Sequence, residues 1–190
     1  MGYLSEINER IRQMDYFEVV IRNKRHREFK SGQLALSSDQ LKQLMACAQL
    51  SPSLSEIQNY TFVLVTDTTL KQDLTQFLPS SEWITNASAV FAVVVVVTDE
   101  SEETDDTNII DAIISTSQLM MAATAMGLGC NLLVDFDQEA TNQLLGVTDE
   151  RLSTIALVPI GVTQDEGSQG YKRSLSDLLN HNRLDTPYEF

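Results

Sequence analysis

The chain reads as a layered fold of helices and strands built around one apolar strand and one apolar helix, and three observations lead there. Ala89 to Val97 is the most apolar run in the chain and is nearly all valine, which predicts a central strand covered on both faces. From Ile109 to Met126, apolar or small residues fall on almost every side of a helix, so that helix needs cover from a core or a subunit interface. Segments of helical and strand-like spacing alternate around these two, and alternation taken alone suggests a parallel sheet.

The 190 residues, 43% of them hydrophobic, suffice for one domain with a sizeable core, and no linker or repeat divides residues 1-190. A formal net charge of -14 argues against general affinity for nucleic acid or an anionic membrane surface. Yet Arg22, Lys24, Arg25, Arg27 and Lys30 cluster within one short segment, a candidate anion site. Cys47 and Cys130 each lie in apolar sequence and form no C-x-x-C pair, so both are expected as buried thiols in a reducing compartment. With His26 and His181 they make no recognisable metal spacing. No secretory signal pattern opens the sequence, and Glu6 stands where a myristoylation pattern after Gly2 needs Ser or Thr. A soluble, cytoplasmic protein is expected.

In chain order, a first helix is expected from about Ser5 to Arg22, where Ile7, Ile11, Met14, Phe17 or Glu18, and Ile21 form an imperfect amphipathic stripe. It delivers the chain into the basic cluster. Ser31-Gly32 is a turn, and Ser37-Ser38-Asp39-Gln40 has the pattern of a capping box ahead of Leu41, Leu44, Met45 and Ala48 at helical spacing. That second helix must stop at Ser51-Pro52, because a proline pushes the residue before it out of the helical region. Tyr60 to Thr66 is rich in aromatic and branched residues and reads as a strand; Leu70, Leu74 and Phe77 mark a short helix closed by Pro79. Asp99 to Asp106 reads as a solvated acidic loop.

For the long apolar helix, Thr107 or Asn108 is the expected cap, Asp111 lies in the first turn, and Gly127 is the left-handed residue that ends it. Asp111, Ser115, Ser117 and Gln118, spread through the segment, exclude a membrane span. Cys130 to Val134 should be a short strand, Gln138 to Leu145 a helix and Leu152 to Val162 a third long strand. Thr163 to Gly170 is a polar loop that returns to positive charge at Lys172-Arg173. Asn180 to Phe190 is a polar tail with an aromatic end, free to lie across a partner subunit.

Gly127-Leu128-Gly129 is no dinucleotide-binding turn, since that pattern needs a strand before it, a helix after it and a third glycine, where this chain has Leu132. Several separated segments instead resemble the FMN-dependent nitroreductases. Asn23-Lys24-Arg25-His26-Arg27-Glu28-Phe29 stands where that family has Arg-x-Ser-x-Arg/Lys-x-Phe at the flavin phosphate. Ser51-Pro52-Ser53-Leu54-Ser55-Glu56-Ile57-Gln58-Asn59-Tyr60 is similar to the family's Ala-Pro-Ser-x-x-Asn-x-Gln-Pro-Trp. Trp83-Ile84 through Ala87-Ser88, the Ala-x-Gly-Leu-Gly end of the apolar helix, and Leu157-Val158-Pro159-Ile160-Gly161 followed by Lys172-Arg173 complete the series. The resemblance implies an α+β, three-layer α/β/α sandwich with a mixed, mostly antiparallel sheet, overriding the parallel arrangement. It also implies a homodimer with flavins at its interface, FMN as cofactor, NAD(P)H as reductant, and a nitroaromatic, quinone or similar small-molecule electron acceptor.

By the same resemblance, Arg27 pairs with the FMN phosphate or the pyrimidine edge of the flavin, and Lys172 and Arg173 close on the phosphate from the other end of the chain. Pro52, Ser53 and Leu54 approach the ring from the partner subunit. Five positions depart from the family pattern. Asn23 replaces the first arginine and Arg25 a small hydroxyl residue; Glu56 replaces an asparagine that reaches the flavin, and Val134-Asp135 replaces the Glu-Gly segment beside N5. The two added carboxylates oppose the negative charge of reduced flavin, and a pairing of Arg25 with Glu56 or Asp135 is the arrangement that neutralises them. These departures frame an alternative: a non-catalytic homodimer of the same architecture that binds another flavin or nucleotide, or no cofactor. Any one basic residue is most simply a solvated surface charge, but two clusters at two family positions favour an anion site. No histidine and carboxylate constellation reads as an acid–base pair, and His26 is expected as a surface neighbour of the basic cluster.

Overall fold

In the computed structural model, which describes residues 15–33, 35–54, 57–97 and 104–190, the strands are β1 (Tyr60–Val65), β2 (Ala89–Val96), β3 (Gly129–Cys130) and β4 (Leu152–Gly161). They form one sheet in the order β1-β2-β4-β3, and every neighbouring pair is antiparallel. Beyond β3 the basic segment adds a single parallel bridge, Arg25 to Cys130, so the sheet is mixed but mostly antiparallel. The helices are α1 (Tyr16–Arg22), α2 (Ser38–Gln49), α3 (Thr68–Leu74), α4 (Thr104–Ala125) and α5 (Gln138–Leu145).

The valine strand has no solvent face. Alternate residues of a strand point to opposite sides, and Ala89, Phe91, Val93 and Val95 pack under α2 and α4 through Leu44, Ala48, Ala112 and Leu119. Val90 and Ala92, together with Leu157, face Leu74, Leu78, Ile84 and Leu144 on the other side. Two helical layers thus sandwich the sheet. The parallel arrangement fails because β2 pairs with β4, which is not its sequence neighbour, while α3 returns the chain to the sheet antiparallel to β1.

Local signals set several element ends. Ser37 Oγ accepts from Gln40 N while Gln40 Oε1 accepts from Ser37 N, the reciprocal capping box at the start of α2. Gly127, at φ +75°, terminates the α4 region, and Leu128 N turns back to Ala123 O. Tertiary contacts overrule others. The apolar helix begins at Thr104, so Thr107 and Asn108 lie within it and cap nothing. Buried Asn108 instead donates to Val96 O and accepts from Asn59 Nδ2.

The expected strand from Cys130 to Val134 stops after Cys130. Leu133 and Leu157 exchange both backbone hydrogen bonds, and Asn131 N donates to Pro159 O, but Pro159 has no N–H to return. Of the first expected helix, Tyr16–Arg22 is described; residues 1–14 lie outside the described residues, as does 98–103 of the acidic run. Val19 is its buried residue, while Tyr16, Phe17, Val20 and Ile21 are exposed, so the predicted stripe faces away from this chain's own core. Both cysteines are free thiols, Cys47 half-buried and Cys130 buried; burial pushes the Cys130 thiol up to about 11. Among the described residues no helix is long and apolar enough to cross a membrane, and no cluster of His, Cys, Asp and Glu could hold a metal.

Candidate anion-binding site

The basic segment after α1 is an extended ribbon laced to two others. Arg25 and Ser168 exchange backbone hydrogen bonds at 2.9 Å, His26 N donates to Cys130 O at 3.0 Å, and Lys30 N donates to Val162 O at 2.9 Å. Extended backbone sends alternate side chains to opposite sides. Arg25 and Arg27 therefore look one way, and Lys24 and His26 share a recess on the other, beside Gly129 and Thr163.

Asn23, Lys24, Arg25 and Lys172 line one pocket of about 290 Å³ near the C-terminal end of α4, with Met120 and Ser168 in its wall. Asn23 is held there because its Nδ2 donates to Thr124 Oγ1 at 3.1 Å. Loop 163–170 is tied to α1 by Gln169 Nε2, which donates to Ile21 O at 2.9 Å. The Arg25 guanidinium lies against Gly170, where an added Cβ would come within 2.7 Å of Nη2. Room for the long side chain at 25 thus depends on the absence of one at 170. Three cations and an amide converge on a space suited to a multiply charged anion.

Not every expected member joins them. Arg27 lines an adjoining recess of about 370 Å³ with Asp165, Glu166 and Ser168; Arg25 borders both spaces. Arg173 turns aside and donates to the carbonyl of Asp177. Pro52, Ser53 and Leu54 sit on the opposite part of α4: Ser53 Oγ and Leu54 N each donate to Asp111 at 2.7 Å. Met120 lies nine helical steps beyond Asp111, a rise of about 14 Å, so one chain does not bring that loop to the basic pocket. Val134 and Asp135 are exposed and line neither space, and Glu56 lies outside the described residues. Among the described residues Arg25 makes no ion pair with Asp135.

His26 is a correction. It is buried, 9% exposed, and its Nδ1 meets Asp165 Oδ1 at 2.6 Å, while the other carboxylate oxygen accepts from Arg27 N at 3.0 Å. Partial burial pushes the Asp165 carboxyl up, but the donors from Arg27 and His26 outweigh it and the net shift is downward. Asp165 carried no signal in the sequence beyond its place in a polar, glycine-bearing loop. Ser168, Gln169 and Gly170, in and beside that loop, became site residues only through the Arg25–Ser168 pairing.

Comparison with known proteins agrees with this architecture. A model of the Nitroreductase family matches residues 73–162, which hold β2, α4, β3 and β4 and leave the basic ribbon and Lys172 outside. An Archaeoglobus fulgidus protein, provisionally named an NADH dehydrogenase/NAD(P)H nitroreductase, is 26% identical over 136 residues, 69% of this chain and 76% of its own. A provisionally named nitroreductase of Exiguobacterium sibiricum, solved in complex with FMN, superposes with a TM-score of 0.80 at 18% identity over 89% of this chain and 98% of that one. The NADPH:FMN oxidoreductase of Vibrio harveyi, solved with NAD+, superposes with a TM-score of 0.78 at 18% identity, covering 88% of this chain and 77% of that one. The chain has the fold of these nitroreductases, and its residues 73–162 match the sequence pattern of the Nitroreductase family.

Proposed function

We propose that the chain is an FMN-dependent NAD(P)H oxidoreductase of the cytoplasm, acting as a homodimer and passing hydride through the flavin to a nitroaromatic, a quinone or a similar small acceptor. The observation that carries this reading is the pocket shared by Asn23, Arg25 and Lys172, from opposite ends of the sequence. Its donors suit a phosphate: ammonium groups from Lys24 and Lys172, a guanidinium from Arg25 and an amide from Asn23 offer charge-assisted hydrogen bonds. Gly170 leaves the space that the guanidinium occupies.

When bound, FMN supplies the hydride chemistry, and the protein contributes binding, orientation and control of charge. Lys24, Arg25 and Lys172 would hold the phosphate end. Arg27, one recess away, would neutralise negative charge on the ring, tempered by Asp165 and Glu166 beside it. A pocket of about 290 Å³ is small for a whole cofactor, since such sites usually span roughly 300–1,000 Å³. A second copy of the chain completes the site by bringing its own Pro52–Leu54 loop. The exposed Tyr16, Phe17, Val20 and Ile21 on α1 form an apolar surface consistent with self-association.

Asp165 and Glu166 beside Arg27 favour the second reading, a homodimer that binds another nucleotide or none. Purified protein incubated with FMN and then desalted distinguishes the two. A yellow dimer that bleaches with NADH or NADPH under anaerobic conditions, and recolours with a quinone or nitroaromatic, supports the oxidoreductase. A protein that stays colourless at saturating FMN supports the second reading.

A further inference from the structure

We propose that His26 and Asp165 are a positioning pair that sets the register of the basic ribbon against loop 163–170, and so keeps Arg25 and Lys172 at one pocket. The inference deepens the anion-site reading above and rests on it for its functional consequence. Register matters here because the side chains of an extended ribbon alternate: a slip of one residue would carry Arg25 to the other side of the ribbon, away from Lys172 and the pocket they share.

The pair is built to prevent that slip. One Asp165 oxygen takes the imidazole Nδ1 at 2.6 Å and the other takes the backbone N–H of Arg27 at 3.0 Å, so a single carboxylate grips two consecutive residues. The ring is flanked by glycines from both neighbouring segments: an added Cβ would come within 2.9 Å of it at Gly129 and within 2.7 Å at Gly167. The ribbon backbone at His26 is held as well, its N–H by Cys130 O and its carbonyl by Asn131 Nδ2. Neither residue of the pair lines the 290 Å³ pocket, so its influence on a bound anion passes through Arg25 and the Arg25–Ser168 pairing.

The test uses the full-length protein, with Asp165→Ala removing both contacts and Asp165→Asn retaining one acceptor oxygen. Amide exchange is measured without cofactor and FMN affinity by titration. In Asp165→Ala, exchange at Arg25, Arg27 and Ser168 should rise at least tenfold while β2 and α4 keep their protection. FMN should bind at least tenfold more weakly, and Asp165→Asn should fall between parent and alanine variant in exchange and affinity. Unchanged exchange at Arg25 and Ser168 overturns the proposal, and so does a rise spread equally over β2 and α4, which marks a general stabiliser. Should the alanine variant not fold, the asparagine variant decides by the same criteria. A parent protein that binds no FMN defeats the cofactor reading alone, because the exchange measurement still decides the pair.

Discussion

Replacing Asp111 should loosen the Pro52–Leu54 loop while leaving the sheet intact. This carboxylate is 1% exposed and lies about two turns into α4, beyond the first turn expected from the sequence, with Oδ2 accepting from Ser53 Oγ and Oδ1 from Leu54 N, both at 2.7 Å. Hydrogen bonds to a charged group contribute roughly 1.5–3 kcal/mol each, so two contribute about 3–6 kcal/mol. Relief from burying the carboxylate offsets part of that, and Asp111→Ala should lose about 2–4 kcal/mol. Folded domains hold about 5–15 kcal/mol in total, so the variant should still fold. Asp111→Asn keeps one acceptor and should lose about half as much. Urea unfolding, read from the midpoint at unchanged slope, measures the loss, and amide exchange at Leu54 reports the release of the loop. An alanine variant within about 0.5 kcal/mol of the parent, with Leu54 protected as before, would refute the claim that this buried acid anchors the loop.

Two further outcomes follow from local geometry. Gly129→Ala would set a Cβ 2.1 Å from Thr163 Cγ2 and 2.9 Å from the His26 ring. Such overpacking costs about 1–3 kcal/mol; at about 2–4 °C per kcal/mol for a chain of this size, thermal melts should fall by several degrees, and Thr163→Ser should recover part of the loss. Asp149 titrates at about 2, held down first by the side-chain hydrogen bond from Arg151 and then by the Arg151 backbone N–H. Because the folded value lies below the unfolded one, the associated stability is present above about pH 4 and is lost as pH falls through 2. Carbon-detected NMR titration should show the shift, and Arg151→Ala should move the midpoint back toward the ordinary aspartate range.

The features legible in the sequence were those that neighbouring residues decide among themselves. Ser37 and Gln40 cap α2 within one turn, Gly127 ends the α4 region through its own backbone angle, and the valines of β2 need cover on both faces whatever surrounds them. Features decided by distant partners were not legible. Pro159 cuts β3 short from another strand, and Asn108 becomes interior to α4 because Val96 and Asn59 claim its amide. His26 reads as a surface residue in a run of charges, yet Asp165, far along the chain, makes it a buried one. The resemblance supplied the antiparallel sheet, which alternation alone argued against. It grouped Arg27, Lys172 and Arg173 at the phosphate, but Arg27 lines an adjoining recess and Arg173 turns to Asp177.

The departures at 23 and 25 look in sequence like two separate losses, one of charge and one of space. In three dimensions they are one change. Asn23 and Arg25 border the same pocket, so the cation missing at the first position is supplied from the second, two residues on and on the same side of the ribbon. The space a guanidinium needs comes from Gly170, on the loop that also leads to Lys172. Charge at an anion site acts through distance and screening and is indifferent to which backbone atom carries it. The pocket is therefore net cationic although the first arginine of the motif is absent from this chain, and the matched stretch, residues 73–162, contains the scaffold but none of these positions.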